Sequence, residues 1–213
     1  MRWTDGRPPY LGLKQLPREL TAFELEAFFS FTVAERQVIE DRRGPELQLG
    51  LALQIGFLRM SGRLLDAVRI VPPALWRHLG TKFAMAAPDL ASLRAMYRRA
   101  PTLIEHQQLA CEVLSLRWLS EPQRRALVYA LRQELTRTHD RQRLLVFARR
   151  WLYEHRLIIM HERSLRSITV TSDRDRVHPA PGYVDGRGRR GLPIALTGVT
   201  ANAIPHNREG FSL

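Results

Sequence analysis

Residues 42–63, RRGPELQLGLALQIGFLRMSGR, constrain the fold more than any other stretch of this chain. A basic pair and a Gly-Pro break open it, and Pro45 is suited to the first position of a helix. Leu47, Leu51, Leu53, Ile55 and Leu58 then recur at helical spacing, with Gln48, Gln54 and Arg59 between them. Gly50 and Gly56 inside the pattern cost helix stability unless another element packs closely there. Arg59, Gly62 and Arg63 form a basic end that suits the helix dipole. The segment reads as a core helix with a polar frame.

Helix signals continue on both sides. Residues 1–20 hold Gly6, Pro8, Pro9 and Gly12 and read as an irregular arm, tacked down by Trp3, Tyr10, Leu11 and Leu16. Thr21 with Glu24, and Thr32 with Glu35, are capping boxes ahead of two short helices. Further helices are expected over residues 74–86, from Pro88 and Asp89 to Tyr97, and from a Thr102/Glu105 box to about Trp118. A Ser120/Gln123 box opens the next, and a last long helix is expected over residues 141–156. Residues 157–160 are the only short strand candidate. The body, residues 21–171, is therefore all-α, a multi-helix orthogonal or bundle-like domain. From Ser172 to Leu213 the chain becomes rich in Gly and Pro without amphipathic period, and reads as an irregular or disordered tail.

A chain of 213 residues with 45% apolar residues has room for a real core. Its net charge of +12 points to a polyanionic partner. The tail holds 6 basic and 4 acidic residues, so the body keeps most of that charge. Apart from Lys14 and Lys82 every basic side chain is Arg, whose planar fork suits phosphate and guanine edges. The single Cys111, in an apolar helical context, excludes a disulfide framework and a Cys-rich zinc site. No apolar run reaches the roughly 18–20 residues of a transmembrane helix, and MRWTDGRPP is no signal peptide. A cytoplasmic protein without a membrane partner is expected.

The seven His residues show no metal-ligand spacing, and there is no P-loop, dinucleotide fingerprint or nucleophile elbow. Acidic residues are mostly caps or scattered, whereas a two-metal site needs carboxylates converging on one face. No catalytic residue, metal or cofactor is assigned. Arg pairs do recur, at Arg42 and Arg43, Arg98 and Arg99, Arg124 and Arg125, and Arg149 and Arg150. Beside helix termini such pairs clamp phosphates. Gln48, Gln54, Arg59 and Arg63 join them as base-edge candidates, on condition that their helix face is exposed in a groove. Trp118 and Trp151 are expected as core anchors rather than base-stacking platforms.

The run from Arg42 to Arg63 resembles a signature near the N-terminus of Tn-three-family transposases. Arg42, Arg43, Leu49, Gly50, Ala52, Leu53, Gln54, Leu58, Arg59 and Gly62 carry the likeness. LTAFELEAFF at residues 20–29, the Val71-Pro72 step, Tyr97 with Arg98 and Arg99, and IEHQQL around Glu105 and His106 support it in order. RRWLYEHRLIIMHERSLRSI, residues 149–168, looks like the terminal W-L-x-x-x-x-I-x-x-P-G-x-x-x-L segment of that signature series, with Met160 and His161 where Pro-Gly is usual. The resemblance implies a DNA-binding N-terminal domain that engages transposon terminal inverted repeats, truncated before the catalytic acidic triad and so not an enzyme itself. Double-stranded DNA is the expected partner, with full-length transposase as a second. A protein-interaction module or inhibitor of that transposase is the first rival function. A decayed transposase remnant is the second, and a stand-alone nuclease the third.

Overall fold

Threonine hydroxyls start the first two helices. Thr21 Oγ1 accepts from the Glu24 N–H at 3.3 Å while the Glu24 carboxylate accepts from the Thr21 N–H at 2.8 Å, opening α1 (Ala22–Phe29). Thr32 and Glu35 repeat the reciprocal pair at α2 (Val33–Glu40). Each box satisfies two backbone donors that a helix start leaves bare. α3 (Pro45–Ser61) begins after Gly44 and ends at Gly62, both at positive φ, 97° and 69°. A computed structural model describes residues 10–85 and 90–177 of the chain. Within them follow α4 (Pro73–Phe83), α5 (Leu90–Tyr97), α6 (Ala100–Val113), α7 (Glu121–Leu135), α8 (Arg141–Glu154) and α9 (Glu162–Val177). No β-strand occurs among the described residues. The fold is all-α.

α3 is the axis of the first lobe. Leu49 to Ser61 are buried without interruption, as in a helix enclosed on every side. α1, α2, α5 and α6 pack on it, and α4 packs on α1. Its glycines make this approach feasible: a Cβ on Gly50 would meet Met96 and Tyr97 of α5 at 2.7 and 2.9 Å. The second lobe is a trio, α7, α8 and α9, whose own core holds Leu127, Leu131, Leu145, Leu152 and Leu165.

The seam between the lobes is an extended run after α8. Leu157 and Ile159 belong to the second core and Ile158 to the first, the two-residue alternation of extended chain. Its backbone is held from both sides. Ile158 N donates to Arg117 O at 2.9 Å, Ile159 N to Gly62 O at 2.8 Å, and Arg117 N to Arg156 O at 3.0 Å. Tyr153 adds a hydroxyl bond to the Arg59 carbonyl at 2.7 Å, near the end of α3. The arm crosses the same place, with Gly12 N donating to Ser61 O at 2.8 Å.

Four expectations change. The Thr102/Glu105 box does not form, because Pro101 in the first turn lets the helix begin at Ala100 with Arg99 as cap. That helix ends at Val113, so Trp118 lies beyond it, exposed, and is not a core anchor. Residues 157–160 give an isolated parallel bridge, Arg117 with Leu157, rather than a strand. A further helix, α9, follows residue 156 and runs through residue 172 to Val177. Among its described side chains only Leu165 and Ile168 are buried apolar ones, too few to set a helical period. The arm residues 1–9 and the tail residues 178–213 lie outside the described residues.

Candidate nucleic-acid interface

The three polar residues in the second half of the central helix and just past it turn inward, which corrects their reading as base-edge contacts. Gln54 clamps one backbone residue, donating from Nε2 to Leu65 O at 2.8 Å and accepting from Leu65 N at 3.2 Å. Arg59 is 5% exposed. It donates to the Phe28 and Ser30 carbonyls at 3.0 and 2.7 Å, completing the end of α1, and pairs with Glu35 at 2.6 Å. Glu35 thus serves the α2 capping box with one oxygen and Arg59 with the other. Arg63 reaches Gly12 O at 3.4 Å and His161 Nδ1 at 3.1 Å, and burial pushes its pKa down. These side chains already satisfy buried backbone, and the helix face that a groove would need does not exist.

Gln48 is also occupied, donating to Arg42 O at 2.9 Å and Glu40 O at 3.2 Å across the α2–α3 turn. Arg42 is half-buried and ion-paired to Glu105 of α6 at 2.5 Å. Arg43 beside it is exposed. Arg98 and Arg99 are exposed at the start of α6, and Glu105 stands six residues after Arg99. At 1.5 Å per residue that is about 9 Å along the helix. The Arg42–Glu105 pair therefore draws the first two Arg pairs to one end of the first lobe.

The other two pairs belong to the second lobe. Arg124 and Arg125 lie on the exposed side of α7, Arg124 within 3.3 Å of Glu121. Arg150 is exposed on α8 and bound to Glu154 at 2.8 Å, which raises its pKa. Arg149 is half-buried, 3.7 Å from Glu162, with its guanidinium against Gly12. So the structure gathers the candidates into two groups, one per lobe, rather than one site.

Charge divides unevenly between the lobes. Residues 117–177 hold 14 arginines against 7 acidic residues, whereas residues 1–116 hold 15 basic against 12 acidic. On α7, Arg125, Ala126, Tyr129, Arg132 and Gln133 share the solvent face at helical spacing. Composition alone signals the excess but not its place. Among the described residues no three His, Cys, Asp or Glu side chains stand together as a metal site. No described helix is long and apolar enough to cross a membrane. Cys111 is buried, and burial pushes its thiol up to about 11, where it is inert at neutral pH.

Residues 10–168 match DUF4158, a domain of unknown function, and the chain belongs to that family. It is also similar to the transposase for insertion sequence element IS1071 in transposon Tn5271 of Comamonas testosteroni. The two are 57% identical over 163 residues, covering 76% of this chain and 17% of the relative. The chain is thus transposase-related and spans about a sixth of that relative's length.

Proposed function

We propose that this chain is a DNA-binding domain of a Tn-three-type transposase that engages transposon terminal inverted repeats and performs no catalytic step itself. The carrying observation is the arginine excess of the α7–α9 lobe, 14 against 7, displayed on a domain related to a transposase. Arg124 and Arg125 on α7, with Arg43, Arg98 and Arg99 at one end of the first lobe, neutralise phosphates. α7 is the helix offered to a groove, since its solvent face carries Arg125, Tyr129, Arg132 and Gln133 while α3 is enclosed. DNA contact belongs in the nucleoid-bearing cytoplasm.

A second reading, a contact surface for full-length transposase or an inhibitor of it, rests on Tyr129 and Val146. Both stand exposed on the outer faces of α7 and α8. A salt series separates the two. The purified chain is titrated with a duplex carrying the terminal repeat of its own element and with a scrambled duplex. Preference for the repeat, with affinity falling steeply in salt, supports the DNA reading. No binding to either at moderate salt overturns it in favour of the protein-contact surface.

A further inference from the structure

Trp118 leaves 68% of its surface in solvent, although an indole gains more from burial than almost any side chain. It is not on a loose loop. Arg117, its neighbour, is bonded on both sides of the backbone to the seam, through Arg156 O and Ile158 N. Leu116 before it is anchored in the first core and Leu119 after it packs on the second. Two non-glycine residues beside it, Ser115 and Arg156, hold left-handed φ values of 51° and 58°. Strained backbone of this kind persists only where surrounding structure fixes it.

One side of Trp118 faces an open hollow of about 700 Å³, shared with Arg117, Arg156, Glu112, Gln108 and Cys111. The guanidiniums of Arg117 and Arg156 make no ion pair among the described residues. The hollow therefore combines an exposed indole on a fixed backbone, two arginines outside any ion pair among the described residues, and one carboxylate.

We infer that this hollow is a binding site for an unpaired nucleobase of a nucleic acid, stacked on Trp118, with its phosphate held by Arg117 and Arg156. The inference rests on the DNA-binding reading and extends it to a specific site. A paired base inside a duplex hides its faces, so an exposed indole can stack only on a base that is out of the helix or in a single strand. Two guanidiniums against one carboxylate favour a phosphate-bearing ligand over a peptide, and the surrounding lobe adds to the same sign. Glu112 supplies an acceptor for base N–H groups, giving the site some choice among bases.

The test uses the full chain, an intact duplex, and the same duplex with one bulged adenosine. The bulged duplex binds about ten-fold tighter, the increment of a single base–aromatic stack. It also quenches tryptophan emission. Trp118→Ala abolishes both the preference and the added quench, with intact-duplex affinity and thermal midpoint unchanged. Trp118→Phe restores part of the preference. Arg156→Gly relieves the left-handed backbone while removing the cation, and lowers the preference without loss of fold. Equal tight binding of both duplexes, or a preference that survives Trp118→Ala, overturns the site and leaves DNA binding standing. Failure to bind either duplex overturns both.

Discussion

A Cβ placed on Gly56 would lie 2.2 Å from two ring carbons of Phe29, so α3 meets α1 with backbone against an aromatic face. Phe29 has no solvent exposure and nowhere to withdraw. Gly56→Ala gains about 1 kcal/mol of helix propensity but must displace this ring. The expected net result is a loss of about 1–3 kcal/mol, as in overpacked cores. Urea unfolding measures it, and Phe29→Leu in the same chain recovers part. Unchanged stability would show that the ring swings aside.

Arg59 completes α1 and pairs with Glu35 inside the protein. Arg59→Met strands two carbonyls and a largely buried carboxylate, with an expected cost of about 3–5 kcal/mol. The double variant Arg59→Met, Glu35→Gln should lose less than the sum of the single losses. Strict additivity in denaturant midpoints would mean the pair does not act as a unit.

His106 is fully buried and shares a 2.9 Å hydrogen bond with the Tyr97 hydroxyl. Burial lowers its pKa from 6.5 to about 4, so the folded protein keeps it neutral. Below pH 6.5 the unfolded chain binds the extra proton, and stability falls as pH drops toward about 4. The full contribution is about 3 kcal/mol. Glu26 and Glu162 have lowered pKa values, from hydrogen bonds to Ser30 and Arg166 first, so their contributions disappear at still lower pH. His106→Gln should flatten the slope between those limits, and a slope that persists would place its origin elsewhere.

Arg124→Ala with Arg125→Ala removes two cations from the exposed side of α7. Duplex affinity should fall, and the slope of log affinity against log salt should shrink by up to about 2. Gln48→Ala, by contrast, should lower stability through the α2–α3 turn while leaving sequence preference untouched. A salt slope identical to that of the unsubstituted chain would remove α7 from the interface.

Much of the helical frame was legible because its signals are local. The boxes at Thr21, Thr32 and Ser120 form, and Gly44-Pro45 and Gly62 bound α3 as their chemistry requires. What was not legible depended on three dimensions. Gln54, Arg59 and Arg63 look like a polar face until the chain after α3, the end of α1 and the arm fold over them. Trp118 resembles a core residue by composition, yet Ser115 turns the chain before the indole reaches either core. Residues 157–160 are an unbroken apolar run, so an extended segment could be expected there, but not that alternate side chains would serve different lobes.

Burial also divides the side chains by what their replacement would disturb. Residues whose replacement disturbs folding, such as Gly56, Arg59 and Ile158, are held inside or between the lobes, whereas Arg125, Ala126, Tyr129 and Gln133 touch little but solvent. A lineage can therefore rewrite the outer side of α7 without renegotiating its interior. Related chains should diverge in what they grip long before they diverge in shape.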